Sequence, residues 1–195
     1  RADATALVAL RQQLKATSGE APPPSYTDII AKLVAVALRS HPLLGARWEG
    51  DRIILPDAIH IGLAVETEHG LLVPVMRNVS ELTLGEVARR ARELIEAARA
   101  RRLKSEDLQG GTFTITNLGS FGIEAFTPII NLPETAILGL GAIRRAAVAL
   151  DDGSVTSREQ LTLSLTFDHR IVDGAPAARF LQTLRQGIEA PGVVA

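Results

Sequence analysis

The chain has 195 residues, 46% of them hydrophobic, a formal net charge of −1 and no cysteine. That length and apolar content suffice for one substantial core, and the near-zero charge gives no footprint for nucleic acid or an acidic membrane surface. The missing thiols exclude disulfides, thiolate zinc sites, iron–sulfur clusters and acyl transfer through a protein cysteine. No apolar stretch is long enough to span a bilayer and no secretory signal opens the sequence, so a cytoplasmic protein is expected, or a mitochondrial-matrix one if eukaryotic. The single methionine is Met76. Residues 1–195 are therefore read as one domain, incomplete at its N-terminus.

In chain order, Asp3 is placed to cap a first helix whose Leu7, Leu10 and Leu14 share a face. The TSGEAPPPS that follows reads as a flexible loop. A second helix is expected from about Thr27 to HPLLG, with Ile29, Ile30, Leu33, Val34, Ala37 and Leu38 making it apolar round much of its circumference. DRIILP, AIHIGLAVET and GLLVPVMRN supply strands, with EHG turning between the last two. Residues 83–103 give the clearest helix, placing Leu84, Val87, Ala88, Ala91, Leu94, Ile95 and Ala98 on one face. Its basic end, Arg99, Arg101, Arg102 and Lys104, complements the helix dipole, with a phosphorylated ligand as the sharper alternative. GGTFTITN, ETAILGLGAIRRAAVAL and QLTLSLTF are three further strands. Ala177, Phe180, Leu181, Leu184 and Ile188 then recur at helical spacing behind Asp173, a plausible N-cap. The expected fold class is α/β (α+β), a two-layer sandwich in which helices cover one face of a mixed β-sheet.

The chemistry concentrates in LSLTFDHRIVDGAPAARFL, residues 163–181. Apolar and polar residues alternate as far as Asp168 and the period then changes, which sets His169 at a strand-to-helix corner, on the buried side if the strand stays regular. Asp168, Arg170 and Asp173 surround it in sequence. Local pattern alone leaves three readings open: a catalytic base, a core histidine, or an ion-pair cluster. A metal site needs more ligands than one histidine and one aspartate, and there is no HExxH pair, so none is expected. His41, His60 and His69 receive no role. NLGSFG and GLGAI lack the spacing of nucleotide-binding loops and read as turn and packing glycines.

Four blocks in order, IIAKLVAVALRSHPLLGA, HIGLAVETEHGLLVPVMRN, EDLQGGTFTITNLGSFGIEAFTPIINLPETAILGLGAI and LSLTFDHRIVDGAPAARFL, resemble the catalytic domain of the dihydrolipoamide acyltransferases. These are the core (E2) components of 2-oxo acid dehydrogenase complexes, and they share a fold with chloramphenicol acetyltransferase. The resemblance implies acyl transfer between dihydrolipoamide and coenzyme A, with His169 of the DHRxxDG motif as the base that removes a thiol proton. It implies Thr116 of GTFTITN as donor to the oxyanion and Asp173 as a support of the site. Asp168 and Arg170 resemble structural ion-pair partners that hold the corner's shape. Thr112 and Thr114 are read as ordinary β-forming residues.

The same resemblance implies trimers, His169 and Thr116 coming from neighbouring chains, that build a cubic or dodecahedral core. The decarboxylase (E1) and dihydrolipoamide dehydrogenase (E3) are expected to bind through lipoyl and peripheral subunit-binding domains absent from this sequence. Its three lysines lie in LKA, AKL and LKS, so the lipoyl group is expected on another part of the polypeptide. The family's basic segment ahead of the first helix, which helps bind coenzyme A, is likewise missing. No coenzyme A contact is assigned. FGIEAFTPIINL has no basic residue to pair with a succinyl carboxylate, and a branched-chain acyl group is favoured over acetyl. The alternatives are a non-catalytic structural core protein and a free-standing coenzyme A-dependent acetyltransferase.

Overall fold

The computed structural model describes residues 1–19 and 22–193. A short strand β1 (Ala2–Asp3) leads into helices α1 (Thr5–Thr17) and α2 (Tyr26–Ser40). Strands β2 (Arg47–Glu49) and β3 (Arg52–Ile54) form a hairpin, and β4 (Ile61–Leu63), β5 (Val65–Thr67), β6 (Gly70–Leu72) and β7 (Val75–Met76) lead to α3 (Leu84–Arg99). Then come β8 (Phe113–Asn117), β9 (Ala136–Leu140), β10 (Arg144–Ala149), β11 (Val155–Leu161), β12 (Leu163–Phe167) and α4 (Gly174–Glu189).

The main sheet runs β12-β9-β8-β4-β7, with β9, β8 and β4 parallel and the outer strands antiparallel to their neighbours. It is the expected mixed sheet. Phe113 and Ile115 of β8 and Leu138 of β9 point to the helical layer, where Phe113 lies 5.6 Å from the ring of Phe180 in α4. A second sheet, β1-β11-β10, adds a strand at Ala2–Asp3 that no hydrophobic period announces.

Helix α2 begins at a capping box: Asp28 N–H donates to Ser25 Oγ at 3.1 Å and Ser25 N–H to Asp28 Oδ2 at 2.7 Å. Its Lys32 ammonium donates to the carbonyls of Val79, Ser80 and Leu82, tying the helix to the approach of α3. Thr83 and Glu86 make the same reciprocal box on α3, which buries Leu84, Val87, Ala88, Ala91, Leu94 and Ala98. That helix stops at Arg99 rather than 103, because Arg101 takes a positive φ of 56°. On α1 the N-cap is Ala4, not Asp3, although Asp3 Oδ1 still accepts from the Thr5 amide at 2.9 Å. Of the loop TSGEAPPPS, residues 20 and 21 lie outside the described part.

Four expected strands are each split. AIHIGLAVET becomes β4 and β5 and GLLVPVMRN becomes β6 and β7, with β4 and β7 in the main sheet and β5 and β6 pairing as a separate hairpin. ETAILGLGAIRRAAVAL becomes β9 and β10, and QLTLSLTF becomes the end of β11 and β12, the break falling at Thr162. The halves belong to different sheets, β11 pairing with β10 and β12 with β9. The second face of the main sheet is crossed by the irregular segment 122–135. Phe126 lies against Gly139, the Pro128 carbonyl accepts from Thr166 Oγ1 at 2.6 Å, and Asn131 and Glu134 meet Thr114.

Candidate active site

His169 is not buried. Strand β12 ends at Phe167, and the chain turns at once: the Asp168 carbonyl accepts from the amides of Ile171 and Val172 at 3.0 and 3.1 Å, so the alternation stops short of residue 169. The imidazole is left 71% exposed, tilted against Phe167 at 5.7 Å between ring centres. Asp173 occupies the N-cap position of α4 but makes no side-chain cap. Its Oδ1 lies instead 3.4 Å from His169 Nδ1, one helical turn back. Asp173 thus stands beside His169, and the capping bond expected of it is not made.

Asp168 and Arg170 hold the turn as the ion pair expected of them. Arg170 Nε sits 3.0 and 3.1 Å from the two carboxylate oxygens and its terminal nitrogen 2.6 Å from Oδ2, while its amide donates to Oδ1 at 3.0 Å. The Arg170 guanidinium keeps the Asp168 carboxyl below the usual aspartate range. The Asp168 amide is anchored to the Thr135 carbonyl at 2.8 Å.

Thr116 is elsewhere. It lines a cavity of about 700 Å³ at the C-terminal ends of β4 and β8, with Leu63, Ile95 and Arg99 among its walls and His169 outside it. Arg99, in the last turn of α3, is the one arginine or lysine lining this cavity. Thr116 aligns with Gly139 and, through it, with Ser164. Strand β12 runs only three residues beyond Ser164 before the turn that carries His169, so at about 3.3 Å per residue and two strand spacings of about 4.8 Å the end of that strand is already roughly 14 Å from Thr116. The structure does not bring them together within one chain.

Thr112 and Thr114 are structural. Thr112 Oγ1 exchanges hydrogen bonds with the backbone of His60, and Thr114 donates to Glu134 Oε2 at 2.6 Å. His60 accepts the Asn78 amide on Nδ1, and burial, then Arg77, hold its pKa down; burial, then Arg179, do the same for His41. Among the described residues there is no group of three or more potential metal ligands, and no helix is long and apolar enough to cross a membrane.

This arrangement has known counterparts. The family described as 2-oxoacid dehydrogenases acyltransferase (catalytic domain) matches residues 1–195. The chain belongs to that family. It is 44% identical, over its whole length, to the dihydrolipoyllysine-residue acetyltransferase component of the acetoin cleaving system of Bacillus subtilis, covering 49% of that protein. It is 38% identical over 96% of its length to the lipoamide acyltransferase component of the branched-chain alpha-keto acid dehydrogenase complex of the same species, covering 45% of it. The chain thus spans about half the length of these curated relatives. Among solved structures, the dihydrolipoamide acetyltransferase of Azotobacter vinelandii superposes with a TM-score of 0.94 at 38% identity, over 99% of this chain and 80% of that one. Chloramphenicol acetyltransferase, at 18% identity and a TM-score of 0.60, shares the fold.

In this member of the acyltransferase family, sequence reasoning missed a buried polar cluster. Glu134 is 4% exposed, accepts from Thr114 and from Asn131 Nδ2 at 3.3 Å, and faces no cation, so burial pushes its pKa up to about 7. Gly62 and Gly111 make room for it: a Cβ on Gly111 would overlap Glu134 Oε1, and one on Gly62 would press on Thr114 Oγ1. The available signal was an acidic residue two positions ahead of the apolar run AILGL.

Proposed function

We propose that this domain transfers a short acyl group between the thiols of dihydrolipoamide and coenzyme A, in the core of a 2-oxo acid dehydrogenase complex. The observation that carries the reading is the His169–Asp173 pair on the turn that ends β12. With Nδ1 turned to the carboxylate, Nε2 is left to take the proton of one thiol. The thiolate adds to the thioester carbonyl carbon, and the oxygen becomes an oxyanion to which the Thr116 hydroxyl donates. Collapse breaks the carbon–sulfur bond to the donor, and the departing thiolate recovers the proton from His169. No acyl-enzyme forms, in keeping with a sequence without cysteine.

On this reading a complete site takes His169 from one chain and Thr116 from a neighbour, in trimers that build a larger core. Two observations support it: the separation of the two residues within one chain, and the 39% identity to a solved cubic core of a pyruvate dehydrogenase multienzyme complex. The Azotobacter relative was investigated for the roles of a serine, a histidine and an asparagine in its catalytic mechanism. Thr116, His169 and Asp173 supply a hydroxyl, an imidazole and a side-chain oxygen of the same kinds. Decarboxylase, dihydrolipoamide dehydrogenase and the lipoyl group would engage through segments outside these 195 residues.

The apolar segment 121–132 favours a branched-chain acyl group. A specific contact favours acetyl: the Phe126 ring would stand 2.9 Å from a Cβ on Gly139, the residue aligned with Thr116, and so limits space beside the oxyanion donor. Transfer from acetyl-, isobutyryl- and succinyl-coenzyme A to free dihydrolipoamide, measured with the full-length protein, ranks the groups. His169→Ala should lower the rate about 10²–10⁴-fold and Thr116→Val about 10²–10³-fold. Co-assembly of the two variants should restore about a quarter of the sites, those that draw each intact residue from a different chain. Absence of transfer by folded, assembled protein, or near-full activity in His169→Ala, refutes the assignment.

A further inference from the structure

The imidazole of His169 is so exposed that its position depends on the turn beneath it, and that turn is tied twice to the β2–β3 hairpin. The Trp48 ring in β2 lies under the Arg170 guanidinium, 5.3 Å from its centre, and Arg170 in turn grips both oxygens of Asp168. The ring is itself fixed, because Trp48 Nε1 donates to the Gly50 carbonyl at 2.8 Å across the hairpin turn. The second tie is Thr135. Its buried hydroxyl donates to the Ala46 carbonyl at 2.6 Å, just before β2, while its carbonyl accepts from the Asp168 amide.

We propose that Trp48 is a positioning residue for His169: by stacking on Arg170 it holds the Asp168–Arg170 chelate, and with it the turn that aims the imidazole. A freely moving Arg170 would release Asp168 and bring an unanchored positive charge beside the base, whereas a stacked one is confined to one side of the turn. An aromatic face is the requirement, since it attracts the guanidinium while leaving its N–H groups in plane for the carboxylate. The hairpin thereby serves the histidine half of the site.

The proposal rests on His169 acting as the base, and the test separates the two claims. Trp48→Phe keeps a ring face; Trp48→Leu keeps apolar bulk without one. In the assembled full-length protein, Trp48→Leu should lower kcat about two- to fivefold, the strength of an exposed cation–π contact, with KM for both thiols unchanged. Trp48→Phe should stay near the parent. Amide exchange of the segment 167–173, read by mass spectrometry, should rise in the leucine but not the phenylalanine variant and needs no activity to be scored. Thr135→Val should raise the same exchange by loosening the second tie. Equal kcat and exchange in the phenylalanine and leucine variants would overturn the stacking role. Inactive parent protein with the predicted exchange pattern would overturn the catalytic reading and leave the brace standing.

Discussion

Glu134 offers the most direct check on the energetics of the site-bearing sheet. Its carboxyl is 4% exposed, and burial raises its pKa from the ordinary 4.5 to about 7 against the opposing pull of the hydrogen bonds it receives from Thr114 and Asn131. Between those values the native protein keeps a proton that the unfolded chain releases, so stability is full below pH 4.5 and falls as pH rises through 7. At about 1.4 kcal/mol per pH unit the loss is about 3 kcal/mol. Glu134→Gln keeps the shape without the ionisation. It should carry a constant cost from rearranged hydrogen bonds, but its unfolding free energy should gain about 3 kcal/mol on the parent between pH 4.5 and pH 8. In a domain of this size that is a relative rise of about 6–12 °C in Tm. Denaturant or thermal unfolding of both proteins across that range measures it, and every other titrating group cancels in the difference. Parallel pH dependences for the two proteins would mean that Glu134 ionises freely, and the burial argument would be wrong.

Gly111→Ala should destabilise by about 1–3 kcal/mol, because the new methyl occupies the space of the Glu134 carboxyl; denaturant unfolding reads it, and pairing it with Glu134→Ala should recover much of the loss. Phe180→Ala should cost about 3–5 kcal/mol, since that fully buried ring joins α4 to Phe113 of β8 and to His41; a smaller shift in the unfolding midpoint would show that the helical layer repacks.

The helices were legible because their signal is local. Thr83 and Glu86 announce the start of α3, and the 3.6-residue recurrence of Leu84, Val87, Ala91 and Leu94 sets its buried face. The strand pattern was legible only in part. Leu161, Leu163 and Leu165 keep a period of two straight through Thr162, yet the backbone there leaves one sheet for another, and alternation carries no information about which strand is the partner. The same limit misplaced His169: the pattern ran on to residue 169, two beyond the end of β12 at Phe167, although the Asp168 carbonyl already closes a turn. The DHRIVDG cluster could be found because its members are near in sequence. Glu134 and Trp48 could not, since Glu134 matters through Thr114, 20 positions away, and Trp48 through Arg170, 122 positions away.

The three lysines of the chain sit in unequal surroundings. All the N–H bonds of the Lys32 amine are directed at backbone carbonyls, while Lys15 lies exposed in the last turn of α1 and Lys104 is 77% exposed beside Glu106. For anyone wishing to attach a dye, a tether or a surface to this domain through lysine side chains, two are therefore ready handles rather than three. Both handles are on segments other than the turn that carries His169 and the strand that carries Thr116. Reagents aimed at thiols find nothing to react with, so a single introduced cysteine would be a unique address on the molecule.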